Sequence, residues 1–169
     1  ANLIGLGSTL EGFDCSPFKF EYLFEKAWDM PQHQDSDKWI CHLADRHLGY
    51  SDHRAHKAWL LLHNKVYNFT AHTTHATAAN ARPSMRKRLV RTNNQILNRY
   101  PNSVLVEAID LLLECNGTKE LFAYDLVNLI RQLLGNRYND LFVEYKSAME
   151  QCDRSKMSEL EGKMMAIHA

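Results

Sequence analysis

The chain lacks net charge: its 169 residues carry 20 Lys+Arg against 20 Asp+Glu. That balance removes the overall field that would draw in nucleic acid, an anionic membrane or an acidic partner, so neither nucleic acid nor membrane is expected as a partner. Its longest cationic cluster, Arg82, Arg86, Lys87, Arg88 and Arg91, has none of the interleaved aromatics that single-strand binders stack on bases, and reads as a solvated basic face. No apolar run reaches the length of a membrane span, and no signal-peptide pattern opens the chain. Cysteine is sparse. Cys15, Cys41, Cys115 and Cys152 include no Cys-x-x-Cys pair, which excludes the usual zinc and redox motifs and leaves mostly buried thiols as the expectation. The chain also lacks an initiating Met, and is expected to begin inside a larger protein. What remains, 45% hydrophobic and 24% charged, suffices for one domain with a real core.

The N-terminal segment concentrates glycine. Ala1-Asn2-Leu3-Ile4 can form a buried strand, and Gly5, Gly7 and Gly12 relieve backbone crowding around Glu11. A lone carboxylate at the C-terminal end of a strand is where barrel enzymes keep catalytic residues. Glycines around an acid also occur in ordinary turns, so the pattern alone is weak.

After Glu11 the periodicity becomes helical. Ser16-Pro17 predicts a capped start, followed by a stripe of Phe20, Leu23, Phe24, Ala27 and Trp28 that ends before Pro31. A second helix is predicted from Ser36 or Asp37 through Trp39, Ile40, Leu43, Ala44 and His47, stopping at Gly49. A third fills Ser51 to about Tyr67, with Ala55, Ala58, Trp59, Leu62 and Val66 inward. Residues 68–82 read as a long loop, a kind of segment that is often functional. Ser103 is expected to cap a helix ending at Asn116-Gly117. Thr118 is expected to cap the longest helix, Lys119 to about Cys152, with a kink or split at Gly135-Asn136. The last segment, Ser155 to His168, is amphipathic and leaves Met164, Met165 and Ile167 without a partner, as if the chain were cut in mid-domain.

Six ordered blocks carry a family likeness: Gly5-x-Gly7-x-x-x-Glu11-Gly12; Pro17 with Ala27-Trp28; Trp39, Arg46 and Gly49; Ala58-Trp59 through Leu62 with Val66-Tyr67-Asn68; Arg82-Pro83-Ser84; and Tyr124-Asp125-Leu126 with Leu129, Arg131 and Gln132. In this order they resemble the alpha-N-acetylglucosaminidase family of glycoside hydrolases over nearly the whole chain. The resemblance implies that residues 1–15 are the end of a catalytic (β/α) barrel, a short strand and active-site loop. It implies that residues 16–169 are the first part of an all-helical C-terminal domain. The expected fold class is therefore all-α, an irregular multi-helix bundle with a short N-terminal strand or loop left over from the barrel.

The resemblance further implies a retaining hydrolase that removes terminal alpha-linked N-acetylglucosamine with two glutamates. Glu11 takes the place of the nucleophile, the acid/base glutamate lies upstream, and the isolated chain is expected to be inactive. Gly12, Ser16, Arg82, Arg99 and Tyr100 fall at the implied substrate-binding positions. The partners implied are a glycan with terminal N-acetylglucosamine and the rest of the chain's own barrel. No cofactor and no metal are expected. The compartment is secreted, periplasmic or lysosomal, and the residues do not separate these.

Two positions depart from the family pattern. Ser16 stands where Asn is usual, and Arg99 stands where an aromatic usually precedes Tyr100. Arg99 could meet an anionic oxygen or be a plain surface residue. Tyr124 and Asp125 could line a cleft, but Asp125 also suits the helix dipole, and Arg131 suits a core carboxylate. Trp28, Trp39 and Trp59 lie on apolar faces and read as core. His53 with His56, and His72 with His75, are spaced like metal ligands but lack the companion ligands of a zinc motif. The sequons Asn68-Phe-Thr70 and Asn116-Gly-Thr118 decide nothing by themselves. The alternative to the enzyme is a non-catalytic helical structural or interaction module.

Overall fold

The computed structural model describes residue 7 and residues 17–28, 35–68 and 100–168. Among them are six α-helices, one π-helical turn and no strand, which establishes the all-α class. The predicted N-terminal strand lies outside the described residues. The chain divides into two units, residues 1–36 and residues 37–169.

In the first unit, α1 (Pro17–Trp28) begins at the proline whose fixed φ suits a first helical residue. Phe20 and Phe24, one turn apart, stack with ring centroids 6.4 Å apart, and the Lys26 ammonium lies 5.3 Å from the Tyr22 ring centre.

The second unit starts with α2 (Ser36–Leu48), which buries Trp39, Ile40, Leu43, Ala44, His47 and Leu48 at helical spacing. It stops where predicted. Gly49 takes a left-handed φ of +96°, and its N–H donates to the Asp45 carbonyl at 2.8 Å, closing the last turn. α3 (His53–Leu62) starts two residues later than the predicted Ser51, because Asp52 sits in extended backbone as its cap, with its carboxylate accepting from the Arg54 N–H at 2.8 Å. Ala55, Ala58, Trp59 and Leu62 are buried as predicted. The helix does not continue as α to Tyr67. Residues His63–Tyr67 form a wider π-helical turn, and Val66 is only half-buried there.

Two predicted caps are displaced. α4 (Asn102–Leu113) starts directly after Pro101, whose carbonyl accepts from Val104 N–H at 3.0 Å; Ser103 is already inside the helix. The proline sets the extended entry that a capping hydroxyl would otherwise stabilise. α5 (Glu120–Glu150) is entered from Lys119, with no side-chain cap from Thr118, and runs unbroken through Gly135 and Asn136. A mid-helix glycine costs about 1 kcal/mol, too little to split so long a helix. Between these helices lies Gly117, where a Cβ would stand 2.6 Å from Phe122 Cγ and 2.7 Å from Leu48 Cδ1. The glycine therefore permits close packing, whereas α4 has already ended at Leu113, short of the predicted Asn116-Gly117.

α4 packs against both α3 and α5, so Leu105, Ala108, Ile109 and Leu112 share a core with Ala55, Ala58, Trp59 and Leu62 and with Phe122 and Leu129. α5 ends in a reverse turn. Asp153 N–H donates to Ala148 O at 2.9 Å and Cys152 N–H to Met149 O at 3.1 Å, with Cys152 at φ +58° in the place usually held by glycine. Asp153 then caps α6 (Arg154–His168), accepting from Lys156 N–H at 2.9 Å. The α5–α6 hairpin closes on Leu141, Ala148 and Leu160, with Tyr145, Met157, Met164 and Ile167 packed around them. Met164 and Ile167 are thus partnered within the chain, while Met165 is exposed.

Candidate functional site

Of the implied site residues, Glu11, Gly12, Ser16, Arg82 and Arg99 lie outside the described residues. Tyr100 lies within them, half-buried at the entrance to α4. Burial pushes its phenol pKa up, against the opposing pull of the nearby Asn136 and Gln132 amides. Those two amides belong to a ladder of side-chain hydrogen bonds. Gln132 Nε2 donates to Asn136 Oδ1 at 2.8 Å, Asn136 Nδ2 to Asn102 Oδ1 at 3.0 Å, and Asn102 Nδ2 to Asp140 Oδ2 at 3.1 Å. Asn136 and Asn139 are both buried. Sequence reading treated Asn136 as a helix breaker and missed this ladder. The available signal was the spacing of Gln132, Asn136 and Asp140, which places three polar side chains on one face of α5.

A second polar contact joins α2 to α5. His47 Nδ1 lies 2.6 Å from Asp125 Oδ2, with 4% and 11% of the two side chains exposed, and the imidazole meets Trp59 edge-on at 5.8 Å between centroids. Asp125 is thus a structural partner of a buried histidine, while Tyr124 beside it is 49% exposed. Arg131 does not reach a core carboxylate; it is exposed and its guanidinium contacts Asn128 at 3.4 Å. Trp39 and Trp59 are core residues, as predicted.

His56 Nε2 pairs with Asp45 Oδ1 at 2.6 Å, and His53 stands 3.7 Å from Asp52. Asp52 itself is held by the Arg54 guanidinium through bonds of 3.0 and 2.7 Å, which keep its carboxyl well below the usual range and raise the arginine correspondingly. Among the described residues, no three His, Cys, Asp or Glu side chains converge as a metal site; His72 and His75 lie outside them. Nor, among the described residues, is any helix long and apolar enough to cross a membrane. Cys115 is a buried free thiol, its pKa raised mainly by burial. Cys41 is half-buried and Cys152 exposed, so the expectation of buried thiols holds for Cys115 and fails at Cys152. Cys152 is exposed because it forms the turn after α5.

Comparison with known proteins follows the same outline. Human alpha-N-acetylglucosaminidase is 28% identical over 151 residues, a match that covers 88% of this chain and 20% of that protein. A family 89 glycoside hydrolase from Clostridium perfringens, solved in complex with PUGNAc, superimposes on 90% of this chain with a TM-score of 0.75 at 21% identity. A substituted form from the same organism, in complex with its substrate GlcNAc-alpha-1,4-galactose, gives 0.74 at 22% identity over 90% of this chain. The chain spans about a fifth of the length of these proteins, 20% of the human one and 18% of each bacterial one. At such identities the structural matches establish the fold. Residues 39–169 match the model of the alpha-N-acetylglucosaminidase C-terminal domain, and the chain belongs to that family of glycoside hydrolase domains.

Proposed function

We propose that this chain is part of a retaining glycoside hydrolase that removes terminal alpha-linked N-acetylglucosamine, with Glu11 as its nucleophile. The observation that carries the reading is the family match over residues 39–169, downstream of the Gly-x-Gly-x-x-x-Glu-Gly block at Gly5–Gly12. The structural neighbour solved with GlcNAc-alpha-1,4-galactose supports the choice of sugar. In the proposed reaction the Glu11 carboxylate attacks the anomeric carbon while a second carboxylic acid, about 5 Å away, protonates the departing glycosidic oxygen. The resulting glycosyl ester is then cleaved by water, and the second carboxylate takes up the proton. That second group lies on a barrel strand upstream of Ala1. The 169-residue chain alone therefore makes neither product.

The test is release of a chromogenic leaving group from an alpha-N-acetylglucosaminide by a form of the protein extended at both ends, beside its Glu11→Gln variant of matched thermal stability. Loss of several orders of magnitude in kcat with substrate binding retained is the expected result. Equal turnover in the two forms would remove Glu11 from the mechanism. Sustained sugar release by residues 1–169 alone would show that no second carboxylate from outside is needed.

A further inference from the structure

Of the two sequons, Asn116-Gly117-Thr118 lies wholly within the described residues, in the turn between α4 and α5. Burial alternates along it. Cys115 is buried and Gly117 is pressed against Phe122 and Leu48, so both face the core, while Asn116 and Thr118 are exposed. The enzyme that attaches N-linked glycans reads two side chains, the acceptor amide and the hydroxyl two residues on, and makes little use of the residue between. Packing of this turn thus presents outward the two groups the enzyme needs and turns inward the one it does not.

Among the described residues, neither side chain is engaged elsewhere. Asn116 is held only through its backbone N–H, which donates to the Tyr50 hydroxyl at 3.0 Å. Thr118, expected to cap α5, gives that helix no bond, because α5 is entered from Lys119. A carbohydrate chain on Asn116 would therefore break no contact and run straight into solvent, whereas an acceptor within the core would have to be pulled out of it. The chain would also have apolar surface to cover. Leu113 and Leu121, at the last position of α4 and the second of α5, are both exposed, as is Tyr50 against the turn.

We propose that Asn116 is an N-glycosylation acceptor, and hence that the protein passes through a eukaryotic secretory lumen. The secreted and lysosomal compartments implied by the family likeness are reached that way. The donor is an oligosaccharide whose first N-acetylglucosamine is joined through C1 to a polyprenyl pyrophosphate. Asn116 Nδ2 loses one proton to a base on the transferase and bonds to that carbon. The bond from the carbon to the pyrophosphate oxygen breaks, and the lipid pyrophosphate leaves with its electron pair. Neither Glu11 nor a sugar pocket enters this inference, so it stands apart from the glycosidase reading.

The experiment expresses the full-length protein from its complete coding sequence in cultured mammalian cells and recovers it from cells and medium. Digestion with a peptide N-glycosidase in heavy-oxygen water converts a glycan-bearing asparagine into a mass-labelled aspartate. The peptide over Asn116 is then read by mass spectrometry in the parent, Thr118→Val and Thr118→Ser. Valine keeps the shape of threonine without its hydroxyl, and serine keeps the hydroxyl. The parent and Thr118→Ser should carry the label at position 116. Thr118→Val should lose it and run one glycan lighter on a gel.

Occupancy in the parent needs no variant, so it decides the matter even where one folds poorly. An unlabelled Asn116 in protein recovered from the medium or from lysosomes would overturn the proposal. A protein retained in the cytosol without glycan would overturn it too. Label that forms without the enzyme, or persists in Thr118→Val, would mean spontaneous deamidation of the Asn116-Gly117 pair and would likewise overturn it.

Discussion

Two glycines of this chain should respond to alanine in opposite directions, and the structure supplies both signs. At Gly117 the backbone is in a region open to any residue, so the cost of Gly117→Ala is steric alone. The new methyl would lie 2.6 Å from Phe122 Cγ and 2.7 Å from Leu48 Cδ1. Neither neighbour has room to yield, since Phe122 is 7% exposed and Leu48 1%. Forcing one methyl into such a contact costs about 1–3 kcal/mol. At Gly135, inside α5, a Cβ would meet nothing within 4 Å. There alanine removes the entropic penalty of a helical glycine and should stabilise by about 0.5–1 kcal/mol.

The assay is thermal and urea unfolding of the two variants, followed by helical circular dichroism. For a chain of this size about 1 kcal/mol corresponds to roughly 2–4 °C. Gly117→Ala should therefore melt about 2–12 °C lower, and Gly135→Ala about 1–4 °C higher, with urea m-values unchanged. Shifts of the same sign in both variants would refute the reasoning. So would a neutral Gly117→Ala, which would mean that the α4–α5 turn is not pressed against Phe122 and Leu48.

The remaining predictions concern the ends of helices. Cys152 holds a left-handed φ of +58° in an exposed turn, so Cys152→Gly should raise the unfolding free energy by about 0.5–1 kcal/mol, measured by urea titration, with the exposed thiol removed at the same time. A lower value would show that the cysteine is not strained there. For Asp52 the folded-state pKa is lowered from 3.8, first by the Arg54 side-chain bonds. Its contribution is therefore present above the unfolded value and is lost as pH falls through and below about pH 4. Asp52→Asn keeps a good cap but loses the ion pair. Its melting temperature should lie below the parent's at pH 7, with the gap closing as the pH is taken towards 2. A gap that is constant with pH would assign the effect to the cap alone.

Helix periodicity, Pro17 and Gly49 were enough to place α1 and α2 from sequence, because each boundary depends on residues next to it. The caps of α4 and α5 were misplaced for a reason equally local. Hydroxyls at Ser103 and Thr118 are good caps in isolation, but Pro101 and Lys119 already hold the extended backbone from which each helix starts. The π-helical turn at His63–Tyr67 leaves the apolar period nearly unchanged, and periodicity alone does not reveal it. For the proposed site, the block around Glu11 stands out only through its order relative to the later blocks, since glycines near an acid carry little information alone.

α5 shows why the polar contacts escaped a reading based on hydrophobic pattern. Its inward stripe runs Phe122, Asp125, Leu129, Gln132, Asn136, Asp140, so apolar and polar residues share one face. A search for a hydrophobic stripe keeps the first and third of these and discards the others as surface or as breakers. Three of the four discarded residues have partners far along the chain: Asp125 meets His47, Asn136 meets Asn102, and Asp140 meets Asn102 as well, while Gln132 bonds Asn136 one turn on. Such a face costs stability if any bond goes unmade, yet it admits only one register of α5 against α2 and α4. A hydrophobic stripe tolerates sliding by a turn; a stripe with fixed donors and acceptors does not. The helix whose inward face mixes polar with apolar residues is therefore the one held to a single register against its neighbours.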